Sequence, residues 1–301
     1  LNKFIETLTE TFKVQVSDAK FYLGLQIQRL EDGSVFISQE AYTRKILERF
    51  KMADANPVST PIEKGAVEDL EQPELKTKVP YREAIGSLLY LAVASRPDIS
   101  FAVGFLSRKM DCPSAKEWAM VKRLLKYIKG TQRFGILYKR DGRDLEAFSD
   151  ADYGGERETR RSTSGILFKY AGGPIAWSSK LQKCVSTSTT QSETVAASLA
   201  IGEAVWMKRI LEEIDCGSTP VLKVDNQSAI ALMRNPVFHS RTKHIDIRRK
   251  FIREKLNSGE VNIEHVTSNE QEADLLTKAL TGQRFKSLCS LIGMTELPLD
   301  C

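Results

Sequence analysis

The sequence has no apolar run approaching the roughly 20 residues that cross a bilayer, and no signal sequence stands ahead of its first structured segment. Its five cysteines, at 112, 184, 216, 289 and 301, are an odd number without a CxxC pair. Neither a zinc site nor a disulfide framework is indicated, and a reducing, intracellular compartment is expected. Histidine is scarce, with three in 301 residues. Two of them, His239 and His244, have no cysteine partners and read as local hydrogen-bonding groups rather than metal ligands. No internal repeat or low-complexity tract occurs. Neither sign of charge dominates: 44 Lys and Arg face 39 Asp and Glu, a net charge of +5 with a pI near 8.8, which alone does not decide for nucleic acid. What remains is 42% hydrophobic and 28% charged, the composition of a globular protein large enough for two domains or two lobes of one assembly.

The chain opens inside an amphipathic helical pattern (Leu1, Phe4, Ile5, Leu8, Phe12), which reads as a piece of a longer polypeptide. "KFYLGLQIQRL" and "GSVFISQ" alternate as a hairpin around Asp32-Gly33, and "EAYTRKILERF" returns to helical spacing. From Asn56 to Pro80 the pattern lapses into prolines, threonines and glutamates, a linker expected to cross the surface. Three helical segments follow, "YREAIGSLLYLAVA", "PDISFAVGFLSRKM" and "SAKEWAMVKRLLKYIKG". The last begins on a capping box, Ser114 with Glu117, and ends on Gly130. Its basic side, Lys122, Arg123, Lys126 and Lys129, reads as a solvated face.

From about residue 141 the rhythm changes. Strands are expected at 144–151, 163–170, 174–178, 220–225 and 260–266, and helices at about 190–214, 243–257 and 270–280. Three strands, a helix, a strand and more helices define an α/β architecture with a mixed sheet. Four carboxylates sit at similar addresses in it. Asp150 ends the first strand, Glu193 falls in the first turn of the long helix, Asp225 ends "VLKVD", and Asp274 lies in the first turns of the last helix. Strand ends and helix starts converge at one edge of an open sheet, where gathered carboxylates repel unless a divalent cation such as Mg²⁺ neutralises them. Each acid also has a bland reading. Thr190 to Glu193 is a capping box, Asp225 or Asn226 caps the next helix, and Asp274 complements a helix dipole. Asp152, two residues beyond Asp150, reads as a turn former ahead of Gly154-Gly155.

The motifs "SDADYGG", "RRSTSGILF", "GGPIAWSSK", "STTQSETVAA", "VDNQSAI", "FHSRTKHIDIR" and "EADLLTKAL" resemble, in this order, the ribonuclease H domain of copia-type retrotransposon Pol polyproteins. Upstream, "YLGLQIQR", "ISQEAYTRKILERF", "GSLLYLAVASRPDISFAVGFLSR" and "RLLKYIKGT" resemble the end of the same family's reverse transcriptase. The resemblance implies a ribonuclease H-like mixed five-stranded sheet over 141–301. A palm remnant would span 1–62 and a mainly helical thumb- or connection-like region 63–140. It implies metal-dependent hydrolysis of the RNA strand of an RNA–DNA hybrid, with the remainder of the Pol polyprotein as partner and no membrane. The family's four metal-binding acids carry over onto Asp150, Glu193, Asp225 and Asp274.

The implied chemistry uses two Mg²⁺ ions about 4 Å apart, with Mn²⁺ as a substitute, and leaves 5′-phosphate and 3′-hydroxyl ends. Ser149, Asn226 and Gln227 are candidates for contacts to 2′-hydroxyls. The run "HSRTKHIDIRRKFIREK", with Arg241, Lys243, Arg248 and Arg249, is a candidate phosphate track, its arginines expected to point outward. There are departures. Where the family commonly has Glu-Ala-Glu-Tyr, this chain has Gln191-Ser192-Glu193-Thr194. His265 falls on the strand, not in the loop where cellular ribonucleases H carry a histidine. The palm aspartates of the polymerase match nothing here, so no copying of nucleic acid is expected. A catalytically inactive binding scaffold, or an inert relic, is the alternative.

Overall fold

The computed structural model describes residues 2–13, 19–66, 78–140, 144–214, 216–235 and 243–297. The first half runs α1 (Asn2–Thr11), β1 (Phe21–Tyr22), β2 (Leu25–Arg29), β3 (Val35–Ser38), α2 (Glu40–Arg49), α3 (Tyr81–Ala94), a 3-10 turn (Pro97–Ile99), α4 (Ser100–Ser107), α5 (Ala115–Gly130) and β4 (Phe134–Tyr138). The expected hairpin is β2 against β3. Gly33 takes φ +84°, and the Asp32 carboxylate accepts the Ser34 N–H at 2.8 Å, which fixes the turn. The capping box of α5 is present in both directions, Glu117 N–H to Ser114 Oγ and Ser114 N–H to Glu117 Oε2.

One expectation for this half needs correction. Of the segment expected to cross the surface from Asn56 to Pro80, residues 67–77 lie outside the described residues, and the part before them does not simply cross the surface. Thr60 and Ile62 are buried, Ile62 within the main core, because Arg123 draws the strand of chain inward through Thr60 Oγ1 (3.0 Å) and Glu63 (2.6 Å). The region 63–140 is mainly helical, as expected, with one strand, β4, near its end. β4 pairs with β3, and the last described strand, β10 (Met294–Glu296), pairs with β4, giving an antiparallel sheet in the order β1-β2-β3-β4-β10.

The second half is β5 (Glu146–Ala151), β6 (Thr163–Tyr170), β7 (Gly173–Leu181), α6 (Thr189–Glu213), β8 (Val221–Val224), α7 (Gln227–Arg234), α8 (Lys243–Asn257), β9 (Asn262–His265), a 3-10 turn (Glu272–Leu276), α9 (Gly282–Leu291) and β10 (Met294–Glu296). Its sheet has the order β7-β6-β5-β8-β9, antiparallel from β7 to β5 and parallel from β5 to β9. This is the mixed five-stranded sheet expected. The helix read at 270–280 is instead the short turn followed by α9, because Ala273 to Leu276 are all buried and leave no polar face for a longer helix.

One face of this sheet packs on α6, with Ala197, Ala200, Ile201 and Ala204 against Ala147, Phe168 and Leu222. The small residues let the helix lie close. The other face carries Phe148 and Leu167 into a core shared with the first half. Trp177 Nε1 donates to Ala92 O at 2.8 Å, and Lys169 Nζ donates to Leu291 O at 3.0 Å and to Glu272 at 2.9 Å. Among the described residues, no helix is long and apolar enough to cross a membrane.

The shared core contains a buried ion pair. Arg96 donates to Asp98 through Nε (2.9 Å) and Nη2 (2.7 Å) and to Thr131 O through Nη1 (2.9 Å), while the Tyr127 hydroxyl donates to Asp98 at 2.6 Å. Arg96 and Asp98 are each only 1% exposed, and Tyr127 meets Phe285 of α9 edge-on. Arg96→Met, which strands the Asp98 charge, is expected to lower unfolding stability by about 3–5 kcal/mol. Adding Asp98→Leu should recover most of that loss. Urea melts of both variants check this, and a single variant as stable as the parent contradicts it.

Candidate active site

β5 is a central strand, and Leu145, Ala147, Phe148 and Ser149 are all buried. Asp150 stands near its carboxyl end, 4% exposed. β8 runs parallel beside it, so Asp225, the residue after β8, emerges at the same edge of the sheet. Glu193 reaches that edge from the N-terminal part of α6. It does not cap its helix. Ser188 does so, accepting the Gln191 N–H at 3.2 Å, and Glu193 is left to accept the Ala151 N–H through Oε1 at 3.3 Å. Asp225 likewise does not cap α7. Asn226 does, accepting the Ala229 N–H at 2.9 Å, and Asp225 Oδ2 accepts from Ser268 Oγ at 3.2 Å.

Asp150, Glu193 and Asp225 each offer a carboxylate oxygen within 4.8 Å of the other two. Asp274 stands slightly apart. The turn that carries it packs on Gly165, the register partner of Asp150. A side chain at Gly165 would come within 2.7 Å of Ala273 O and of Thr277 Cγ2, so the glycine permits this contact. Thr277 Oγ1 then donates to Asp150 Oδ2 at 2.6 Å. Asp274 is ion-paired with Lys278 at 2.5 Å and with Arg284 at 3.3 Å.

Other residues singled out from the sequence fall in several places. Gln227, Asn226, Asp152 and His265 line the same cleft as the acids. His265 ends β9, as expected of a residue on the strand, and it lines the cleft. Ser149 is fully buried and its hydroxyl has no partner, so it presents no surface to a ligand. Arg248 and Arg249 do not point simply outward. Arg248 Nη1 lies 3.4 Å from Ser198 Oγ of α6, and Arg249 Nε is buried, because α8 packs along α6 and its long side chains lie down over the contact. Arg241 and His239 lie outside the described residues, as do the side chains of Lys243 and His244. The residue missed from the sequence is Lys278, whose signal was its i+4 spacing from Asp274.

Burial pushes the Asp150 carboxyl up to about 7, with Lys278 opposing and Asp274 reinforcing the shift. Burial, then Asp150 and Asp225, push Glu193 up to about 10. Burial raises Asp152 to about 6 against the Thr163 N–H and Arg108. Burial pulls the Lys278 ammonium down, but the fields of Asp150, Asp274 and Asp225 outweigh it and leave its pKa raised. The donor set suits a hard divalent cation: oxygen ligands only, and a Glu193 Oε2 that is buried without any hydrogen-bond partner.

An α/β fold of the ribonuclease H type, with an acidic cleft at the ends of its parallel strands, is the class of protein this geometry defines. No family model matches the chain. It is 38% identical over 297 residues to the retrovirus-related Pol polyprotein from transposon TNT 1-94 of Nicotiana tabacum, covering 95% of this chain and 22% of that protein. It is 37% identical over 309 residues to the retrovirus-related Pol polyprotein from transposon RE2 of Arabidopsis thaliana, covering 100% of this chain and 21% of that protein. Among solved structures it is similar to the ribonuclease H1 of Halobacterium salinarum, at 20% identity and a TM-score of 0.33 over 44% of this chain and 94% of that one. The chain belongs to the retrovirus-related Pol polyproteins of transposons, and it spans about a fifth of the length of these relatives.

The raised carboxyls give a sign to the pH dependence. Between their unfolded values near 4 and their folded values of about 6 to 10, the folded chain holds protons that the unfolded chain has released. Their contribution to stability is therefore fullest in acid and falls as pH rises through that window. The melting temperature of the metal-free chain is expected to fall more steeply from about pH 5 to 8 than that of Asp150→Asn. Saturating Mg²⁺ should flatten the difference. Identical slopes in EDTA would contradict the assigned shifts.

Proposed function

We propose that the chain is the ribonuclease H module of a transposon Pol polyprotein, hydrolysing the RNA strand of RNA–DNA hybrids with Mg²⁺, for which Mn²⁺ substitutes. The observation that carries this reading is the convergence of Asp150, Glu193 and Asp225 within 4.8 Å around an unpartnered, buried carboxylate oxygen. A divalent cation there supplies a water of lowered pKa and positive charge beside the scissile phosphate. Asp150, Glu193 and Asp225 hold that cation. Thr277 orients Asp150 through its hydroxyl, and Arg284 fixes Asp274 from the far side.

Substrate recognition falls to the rim. Gln227 is exposed at the start of α7 and faces the cleft with an amide that both donates and accepts, as a 2′-hydroxyl requires. The Asn226 carbonyl is already committed to its cap, which leaves its NH₂ for the ligand. The basic run with Arg241, Lys243, Arg248 and Arg249 supplies phosphate contacts, Arg248 and Arg249 through the guanidinium atoms that packing leaves free. The remainder of the Pol polyprotein is the natural partner.

Asp225→Asn is expected to abolish cleavage of a labelled hybrid while the metal-free melting temperature holds or rises, since one repelling charge is gone. Asp152→Asn should keep most activity. An Asp225→Asn chain that cleaves like the parent overturns the site. Hybrid binding by the parent without Mg²⁺-dependent cleavage would favour the inactive scaffold instead.

A further inference from the structure

Three of the four acids form the cluster, and the fourth is engaged elsewhere. Asp274 is buried to 9% side-chain exposure, and its two oxygens face two cations of the chain itself. Arg284 takes Oδ2 at 3.3 Å, and its own guanidinium is held by Ser268 O at 2.6 Å. Lys278 Nζ takes Oδ1 at 2.5 Å and lies 3.9 Å from Asp150 Oδ2. The ammonium therefore stands between Asp150 and Asp274. A second divalent ion bridging Asp150 and Asp274 would need that same volume.

The lysine is brought there by the fold. Thr277, the residue before it, is fully buried and bonded to Asp150, and the turn behind it is seated on Gly165. The Lys278 side chain is 46% exposed, so solvent was open to its head group. It returns to the acids because charge of the opposite sign is concentrated there.

We infer that Lys278 is the built-in cation of the position between Asp150 and Asp274, so that the cleft takes one divalent ion, at Asp150, Glu193 and Asp225, where the family resemblance implies two. This rests on the nuclease reading and deepens it. Lys278 acts as a positioning residue for Asp150 and Asp274, and the hybrid is cleaved with a single exchangeable metal.

The test counts ions. Mn²⁺ bound per chain is measured by electron paramagnetic resonance on the full 301-residue chain, as parent, Lys278→Met, Lys278→Gln and Lys278→Arg, with melting temperatures to confirm folding. One ion is expected in the parent and in Lys278→Arg, and two in Lys278→Met and Lys278→Gln. The dependence of hybrid cleavage on Mn²⁺ should turn from hyperbolic in the parent to sigmoidal in the neutral variants. Two ions in the parent, or one in every variant, would overturn the inference while leaving the nuclease reading intact. No ion bound by any of them would remove both.

Discussion

Like charge gathered at one edge of a sheet is the constraint from which the rest of this structure follows. Two unit charges 4 Å apart near a protein surface would repel by about 4 kcal/mol, and Asp150, Glu193 and Asp225 bring carboxylate oxygens within 4.8 Å of one another, with Asp150 and Glu193 buried, so protons or a cation must offset that repulsion. Such a cluster survives only if each member is fixed by something other than its neighbours. Asp150 is held by the Thr277 hydroxyl, Glu193 by the Ala151 amide, Asp225 by Ser268 and Asp274 by two cations. The anchors come from four separate segments, so the site is a property of the assembled sheet and of no single motif.

The assembly extends beyond that sheet. Its inner face shares a core with helices of the first half, and the turn bearing Asp274 lies within that core through Ala273, Leu275 and Leu276. α9 and β10 then cross back to close the other sheet on β4, with Tyr127 and Phe285 in edge contact above the Arg96–Asp98 pair. Packing in the first half thus sets where Asp274 and Lys278 stand. Interiors are close-packed and transmit displacement, so a disturbance at the Arg96 cluster is passed to the turn and from there to the acids.

What could be read from the sequence was what is local. The hairpin at Asp32-Gly33, the capping box of α5 and the strands of the mixed sheet each declare themselves within a dozen residues. β4 and β10 do not. They are five and three residues long, and each is a strand because of partners distant in the chain, β4 between β3 and β10, and β10 on β4. Glu193 illustrates a second limit. Thr190 to Glu193 has the spacing of a capping box, yet Ser188 caps the helix two residues earlier, and that offset frees Glu193 from the cap and turns it toward the other acids. The arginines of α8 illustrate a third, since periodicity reports which residues are apolar and not which long polar side chains lie flat against a neighbouring helix. The family resemblance pointed to four acids, of which three converge, but was silent on Lys278, whose approach to Asp150 spans 128 residues of chain.

Asp150 and Asp152 show how little residue type alone decides. They stand two apart at the end of the same strand, and both are raised by burial. Asp152 exchanges hydrogen bonds with the backbone of Thr163, its N–H donating to Thr163 O at 3.1 Å and its carboxylate accepting the Thr163 N–H. Its side chain thereby closes the ladder in place of a carbonyl. Gly155 must lack a side chain, because a Cβ there would collide with the same carboxylate, so Asp152 is locked from both sides. Asp150, one residue before the last of β5, pairs in the ladder with Gly165 of β6, and its carboxylate is free to meet a hydroxyl, an ammonium and the other acids. The difference lies in which part of each aspartate completes the sheet. Where the backbone suffices, the carboxylate is left open to the cleft; where the carboxylate must help, it becomes structure.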